Sequence, residues 1–283
     1  MTFLGEPVPL IATGTLGNFE GTEARRLGFV KFLPETRDEV ADALRLSPTS
    51  LEEDQTLDGD PLPVLLEVNG PITTKVVRQF STMVGKEKKR GARWIGVRIN
   101  SRGGDIDACI ELADILARQD PNETRTVAFV TVEAADGAAL VALACDQLVM
   151  QPKAILGGDG GDGGEALEPD ALAILTDNIK ALAKKTDRTW SVFAAAVDPQ
   201  LEVFKYRHKE TGRLRLFSPA ELNEQDAPDD WTKLDEEITA DGKPLEMTAE
   251  RAKQLGIAWQ TAEDIDGLAA LYGFENPPRI VEP

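Results

Sequence analysis

The sequence has few of the residues that disulfide-stabilised or metal-binding domains depend on. Its 283 residues include two cysteines and one histidine, and aromatic residues make up 6%. Two cysteines without a framework of regular spacings do not predict a disulfide-stabilised fold. Cys109 and Cys145 both lie in apolar segments, so we expect two buried thiols. The sequence predicts no metal site and no cofactor.

Basic residues and long apolar runs are also scarce. The chain has 31 Lys and Arg against 49 Asp and Glu, a net charge of −18. A surface this acidic repels nucleic acid and anionic lipids, so we expect neither as a partner. The exception is the basic run Lys86–Arg90, which is more typical of a helix end than of a binding patch. No segment approaches the ~20 apolar residues that span a bilayer, so we expect the chain as given to be soluble.

What the sequence does contain is an α/β pattern, centred on residues 94–150. Each predicted strand there is followed by a turn, Asn100–Gly104 after the first and Glu133–Gly137 after the second. Backbone N–H groups at the carboxyl end of a strand are left unpaired, so two adjacent turns can form an anion pocket. The predicted elements are the strands Trp94–Ile99 and Thr126–Val132 and the helix Ile106–Arg118.

Further elements are predicted on both sides of this centre. A strand and an amphipathic helix precede it, and a glycine- and aspartate-rich segment, two helices and a hairpin follow it. Ser218 precedes a proline and is expected to cap a short helix. The predicted elements are Val64–Val68, Thr73–Lys89, Asp170–Lys185, Trp190–Val197, and the hairpin strands Leu201–Tyr206 and Leu214–Phe217.

A helix, strand and helix at the start of the chain recur near its end. Ala24, Leu27 and Gly28 align with Ala252, Leu255 and Gly256 at one constant offset. We interpret residues 1–46 as the tail of a preceding copy of the domain, 47–63 as a linker, and 64–283 as the domain itself. The alternative is that any helix ending in Leu-Gly looks similar. The paired elements are Glu20–Gly28, Phe29–Phe32 and Glu35–Leu44, and Thr248–Gly256, Ile257–Trp259 and Glu263–Tyr272.

Three motifs carry a resemblance to a known family. Ile99–Asp105 resembles the glycine turn of ClpP-type proteases, Ala134–Ala139 resembles their nucleophile turn, and Met247–Gly256 resembles the closing motif of the membrane-bound NfeD-type branch. The resemblance implies an α/β fold of the ClpP/crotonase type, built from stacked ββα units. It also implies a full-length protein anchored by membrane helices outside this chain, with the domain on the extracytoplasmic side.

The resemblance implies peptide hydrolysis, for which this sequence lacks the nucleophile. Asp136 stands at the position of the family's serine, and a carboxylate there cannot perform serine acyl chemistry. Gly103 or Gly104 and Gly137 stand where the family's oxyanion hole has its N–H donors. We expect the Asp136 carboxylate to occupy that hole, so this copy is degenerate.

The family's second catalytic group, a lysine base, is also missing. By resemblance it falls near Ala173 or Ile174, and Lys180 lies about two helical turns too far along. His208 lies in the predicted hairpin turn, where a solvated role is expected rather than a catalytic one. Ser101 belongs to the glycine turn and is interpreted as a turn residue.

These residues leave several functions open. The first is an inactive protease-like domain, a pseudoenzyme that binds a peptide or protein partner and forms homo-oligomers. One alternative is an active peptidase. Another is an acid/base enzyme of crotonase type that uses Glu133 and Asp136. The segment Gly157–Asp162 matches one turn of a calcium-binding repeat, although a loop is the simpler interpretation. The last feature is a group of apolar side chains that form either an oligomer contact or part of the hydrophobic core. They are Trp190, Val192 and Phe193.

Overall fold

The computed structural model describes residues 17–33, 40, 61–160, 169–239 and 242–281. Its centre is an eight-stranded sheet with the path β10-β4-β3-β2-β1-β11, in which β5 joins β3 and β9. All pairings along the path are parallel, and β5 and β9 are antiparallel. The strands are β1 Val64–Asn69, β2 Trp94–Ser101, β3 Arg125–Ala134, β4 Gln147–Met150, β5 Ile155–Gly157, β6 Phe204–His208, β7 Leu214–Phe217, β8 Trp231–Glu237, β9 Glu246–Thr248, β10 Gln260–Thr261 and β11 Arg279–Val281.

Helices cover the sheet, as expected for parallel strands joined by crossovers. The predicted helices after β1 and β2 are present with nearly the predicted bounds, and Thr73 and Ser218 accept the expected capping hydrogen bonds. The helices are α1 Gly21–Arg26, α2 Thr74–Lys89, α3 Ile106–Ala117, α4 Gly137–Leu143, α5 Pro169–Lys185, α6 Trp190–Ala195, α7 Pro219–Asn223, α8 Ala249–Gln254 and α9 Ile265–Leu271, with a short 3-10 helix at Pro228–Asp230.

The core lies on both faces of the sheet. The larger cluster packs Leu66, Val97 and Val130 against the helices on one face. The smaller one packs Leu65, Trp94 and neighbouring aromatic rings on the other. Strands buried on both faces have near-continuous apolar sequences, which explains why β2 and β3 were recognisable from their residues alone.

A second, three-stranded antiparallel sheet has the order β7-β6-β8. It includes the predicted hairpin, although the first strand begins at Phe204 rather than at Leu201. Phe204, Tyr206 and Phe217 form a small core of their own, while Leu216 belongs to the main core. This sheet is therefore packed onto the domain.

The helices α1 and α8 end in the same way, 228 residues apart. Gly28 and Gly256 both have positive φ, +79° and +72°. The next two N–H groups bond to one carbonyl in each case, that of Ala24 and that of Ala252. This is the capping geometry that a left-handed glycine permits. The interpretation of residues 1–46 as the tail of a preceding copy stays a prediction.

That capping also explains two errors in the predicted strands. Phe29–Phe32 is not a strand, because the N–H groups of Phe29 and Val30 are used to cap α1. Ile257–Trp259 is not one either, since its first two N–H groups cap α8, and the strand β10 begins only at Gln260. All of the predicted helix Glu35–Leu44 except Val40, and most of the predicted linker, lie outside the described residues.

Candidate functional site

The two predicted turns lie side by side at the carboxyl ends of β2 and β3. The register of these strands shifts after Ile99, and Ser101 pairs with Ala134 at their ends. The Ala135 N–H donates to the Ser101 carbonyl at 3.0 Å. Helix α3 leaves the first turn with Asp105 as its N-cap, and α4 leaves the second directly after Asp136. The adjacency expected from the sequence is confirmed.

Asp136 has a backbone conformation that L-residues rarely adopt, with φ +47° and ψ −132°. Such strain persists only where surrounding bonds hold it. The Asp136 N–H donates to the Gly158 carbonyl at 3.0 Å, and the Asp136 carbonyl accepts from the Ala139 N–H at 2.9 Å. A sharp strand-to-helix turn of this kind is the arrangement that exposes a nucleophile in other hydrolases. Here it presents a carboxylate.

The Asp136 side chain lies against the glycine turn. A Cβ on Gly103 would lie 2.8 Å from Asp136 Oδ2, and φ at Gly103 is +95°. Burial raises the pKa of the half-buried Asp136 carboxyl above its ordinary value, and a hydrogen bond from the Gly137 N–H partly offsets this. No cationic side chain in the described part of the chain is among the causes of this shift.

The three glycines predicted as oxyanion donors have different surroundings. The Gly103 N–H donates to Ser101 Oγ at 3.1 Å, and the Gly137 N–H lies close enough to the Asp136 carboxylate to lower its pKa. Gly104 makes a bridge with Ile72, whose carbonyl oxygen would lie 2.4 Å from a Cβ at Gly104. Within the described residues, the Gly104 N–H has no hydrogen-bond acceptor. Their role as an oxyanion hole stays a prediction.

Ser101 links three parts of the pocket. Its side chain is buried, and its hydroxyl donates to the Gly70 carbonyl at 2.7 Å while accepting from Gly103. A serine oxygen engaged in this way fixes the turn, as the sequence predicted.

Beneath the second turn lies Cys109, whose Sγ would be 2.6 Å from a Cβ at Gly137. Burial, with Asp136 and Asp105 nearby, raises the pKa of the Cys109 thiol to about 12, so it stays protonated.

Glu133, the second carboxylate considered from the sequence, is directed to another partner. Its Oε1 accepts a hydrogen bond from Arg102 Nε at 2.7 Å. The Arg102 carbonyl in turn lies against Gly160, where a Cβ would come within 2.6 Å of its oxygen. The segment Gly157–Gly160 therefore touches the glycine turn directly. Residues 161 and 162 of the glycine- and aspartate-rich motif lie outside the described residues.

The position predicted for a lysine base is occupied by exposed residues. Ala173 and Ile174 lie on the outer face of α5, and Ile174 is 65% exposed. Lys180, farther along α5, bonds to Glu224 at 2.7 Å and lies 4.7 Å from the ring centroid of Trp190. Because Lys180 is held by these two partners, it is not directed at the pocket.

His208 and the apolar group on α6 also have structural surroundings. His208 Nδ1 accepts from the N–H groups of Glu210 and Thr211 at 3.2 and 3.3 Å, so it stabilises the hairpin turn. Val192 and Phe193 are buried in the core, and Trp190 packs against it. The core interpretation is confirmed for Val192 and Phe193, whose side chains are therefore not available for an oligomer contact. The free thiols of Cys109 and Cys145 are buried, as predicted.

The sequence profile of the NfeD1b N-terminal domain matches residues 62–228, more than half of the chain. The chain belongs to the NfeD1b N-terminal domain family. No curated protein matches it. Within the described residues, no helix is both long and apolar enough to cross a membrane, and no cluster of metal-ligating side chains occurs.

Solved structures agree with the fold of an NfeD-type domain. A serine-to-alanine mutant of the 1510-N membrane-bound stomatin-specific protease is 15% identical, with a TM-score of 0.51 over 78% of this chain and 97% of that chain. A lysine-to-alanine mutant of that protease with a substrate peptide is 16% identical, with a TM-score of 0.50 over 78% and 91%. ClpP1 from Listeria monocytogenes is 17% identical, with a TM-score of 0.43 over 72% and 94%. At these identities the likeness concerns the fold, which is that of ClpP-like proteases, as predicted.

Proposed function

We propose that this NfeD1b domain is a catalytically inactive member of the peptidase fold that serves as a scaffold or binds a peptide or protein partner. The observation that carries the proposal is the carboxylate of Asp136 at the strained strand-to-helix turn, against the glycine turn at Gly103. A developing oxyanion would meet a negative charge at that place. The N–H donors would then no longer stabilise the transition state, and each lost donor would raise the activation free energy by about 3 kcal/mol.

The surroundings of Asp136 support the same conclusion. A serine nucleophile needs a base within about 3 Å, and a carboxylate nucleophile needs an acid to protonate the leaving group. Within the described residues, no cationic side chain is among the groups that shift the pKa of Asp136, and Lys180 is bonded to Glu224. Neither half of a serine–lysine pair is in place among the described residues.

Peptidase assays on unstructured casein and fluorogenic peptides test this proposal directly. We expect no hydrolysis by the wild-type chain or by Asp136→Ala, and no stoichiometric labelling by a fluorophosphonate probe. An active ClpP-class peptidase serves as the positive control in the same buffer. Hydrolysis by the wild type that Asp136→Ala abolishes would overturn the proposal and make Asp136 a catalytic residue.

The raised pKa of Asp136 favours one alternative, which is acid/base chemistry of the crotonase type. A carboxyl group with a raised pKa keeps its proton to a higher pH than an ordinary aspartic acid, which suits a general acid. Glu133 does not contribute, since Arg102 neutralises it. Turnover of acyl-thioesters by the wild type but not by Asp136→Asn would support this alternative, and no turnover would reject it.

Membrane association and self-association complete the proposal. The membership in the NfeD1b family supports a full-length protein that is membrane-associated, with this domain outside the bilayer on the extracytoplasmic side. We also propose that the domain forms a homo-oligomer through surfaces other than α6, whose apolar side chains are used in the core. The molar mass in solution, measured by light scattering, tests self-association, and a monomeric mass would reject it.

A further inference from the structure

A cavity of about 700 Å³ lies at the opposite end of the sheet from Asp136. It is bounded by the amino end of β1, the carboxyl end of α2 and the segment between α9 and β11. The six residues of β1 separate the two ends by about 20 Å at 3.3 Å per residue. The cavity is lined mainly by Pro61, Leu62, Pro63, Ala92, Phe274 and Pro277, together with the charged residues Glu87, Arg90, Glu275 and Arg279.

The walls of this cavity are fixed by backbone hydrogen bonds. The Arg93 N–H donates to the Pro61 carbonyl at 2.8 Å, and the Arg279 N–H donates to the Pro63 carbonyl at 3.0 Å. The floor includes Ala92, whose N–H bonds to the Glu87 carbonyl at 3.0 Å. Binding to a preformed cavity costs little ordering of the protein, which favours affinity.

Two arginines converge on one buried carboxylate in this cavity. The side chain of Glu87 is 1% exposed and bonds to Arg90 Nη1 at 2.8 Å and to Arg279 Nη2. The Arg90 and Arg279 side chains are 55% and 54% exposed, and a guanidinium has five N–H donors, so two bonds to Glu87 leave donors for a ligand. Glu275 also lines the cavity, so its two arginines are balanced by two glutamates.

Neighbouring lysines supply an excess of positive charge beside the cavity on an otherwise acidic chain. Lys86 and Lys89 are exposed in the last turn of α2, beside Arg90, whereas the net charge of the whole chain is −18. Cations at the end of a helix complement its dipole, which accounts for the lysines. The dipole does not account for Arg279, which comes from β11, or for the apolar cavity that the two arginines border.

The strand β11 forms the edge of the sheet beside the cavity among the described residues. In the described part of the chain, β11 pairs only with β1, and Ile280 is 45% exposed. Leu62 at the cavity is 46% exposed with φ +44°, which turns its apolar side chain outward. An open strand edge with adjacent apolar pockets is a usual docking place for an extended peptide.

We propose that this cavity binds an extended acidic peptide segment of a partner protein. The carboxylates of the segment contact Arg90 and Arg279, and its apolar side chains pack on Leu62 and Phe274. Arginine suits this task because its planar guanidinium group can donate two parallel hydrogen bonds to the two oxygens of one carboxylate. The site is separate from the turn that holds Asp136, so it is independent of any chemistry there.

Fluorescence anisotropy with the intact chain and a fluorescein-labelled peptide of alternating glutamate and leucine tests this proposal. We expect saturable binding that weakens with added salt, and no binding of the matching lysine–leucine peptide. Arg90→Ala is expected to lower the affinity about fivefold. The matched control is Lys184→Ala, which removes one positive charge from the last turn of α5 and is expected to leave the affinity unchanged.

A second variant keeps the proposal falsifiable if Arg90→Ala unfolds. Leu62→Asp changes an exposed residue with positive φ, which aspartate tolerates, so the fold is expected to stay intact by circular dichroism. It is expected to abolish peptide binding because it adds a negative charge and removes apolar contact. Unchanged affinity in both variants, an equal loss in Lys184→Ala, or tighter binding of single-stranded DNA than of the acidic peptide would overturn the proposal.

Discussion

The two ends of the parallel sheet use their polar groups differently. At the carboxyl end, the Gly103 N–H bonds to Ser101 Oγ, and the Asp136 carboxylate lies against the glycine turn. At the amino end, Arg90 and Arg279 satisfy Glu87 and still expose about half of their side chains. The polar groups of the turn that holds Asp136 are thus largely satisfied from within, whereas the arginines at the other end keep much of their side chains exposed. Likeness of fold carries no information about this difference.

The largest expected effect on stability comes from a substitution at the carboxyl end of the sheet. Gly104→Ala places a Cβ 2.4 Å from the Ile72 carbonyl oxygen, at φ +150°. We expect a loss of about 3 to 4 kcal/mol in the free energy of unfolding, measured by urea denaturation. Gly70→Ala is the control, since φ there is +77° but nothing lies within 4 Å of the added Cβ. It is expected to cost about 1 kcal/mol, and equal losses would contradict the described contact.

The next effect concerns the amino end. The double variant Arg90→Ala with Arg279→Ala leaves the buried Glu87 carboxylate without its ion pairs. We expect a loss of about 3 kcal/mol in unfolding free energy, because an unpaired buried charge is costly. Adding Glu87→Met to this variant is expected to restore most of that stability. If the triple variant were no more stable than the double, burial of an unpaired charge would not be the cause.

A smaller effect is expected from the strain at Asp136. Asp136→Gly removes both the positive-φ strain and the half-buried carboxylate, at the cost of greater freedom in the unfolded chain. We expect a net gain of about 1 kcal/mol in the free energy of unfolding at pH 7. Asp136→Ala removes the carboxylate but keeps the strain, so it is expected to be less stable than Asp136→Gly. The reverse order would contradict this account.

The smallest effect is a pH dependence at the same residue. Burial raises the pKa of Asp136 in the folded chain, so the unfolded chain releases this proton at a lower pH. The stabilisation of the folded state by protonated Asp136 is therefore fully present below about pH 4. It is lost as the pH rises through the pKa of Asp136 in the folded chain. The stability of the wild type relative to Asp136→Asn is expected to fall over that range, as followed by thermal unfolding. Parallel pH profiles for the two proteins would contradict the raised pKa.

The sequence predicted the parts of this comparison that depend on local patterns. The continuous apolar run at Trp94–Ile99 predicted a strand buried on both faces, and the glycines after it predicted a tight turn. Asp136 was placed correctly on the second turn through its resemblance to a nucleophile turn. Such features depend on neighbours in the chain, so they are readable without a structure.

The remaining features depend on contacts between distant residues. Glu87 lies in a run of exposed cations and looked like part of a solvated helix end, yet it is buried by Arg279 from 192 residues away. The bond from the Gly103 N–H to Ser101 Oγ also had no signal, because any serine in a turn has several possible partners. The strands predicted after α1 and α8 failed because the same N–H groups were needed for helix caps.

The contact between Gly160 and the Arg102 carbonyl has a kinetic consequence. A ligand that approaches Asp136 from between the glycine turn and the segment Gly157–Gly160 must first separate the two. The hydrogen bond from the Asp136 N–H to the Gly158 carbonyl also ties the second turn to Gly157–Gly160. Association would then be limited by a slow internal rearrangement rather than by diffusion. Its observed rate would level off as the ligand concentration rises, whereas association at the amino-end cavity would keep increasing in proportion to concentration.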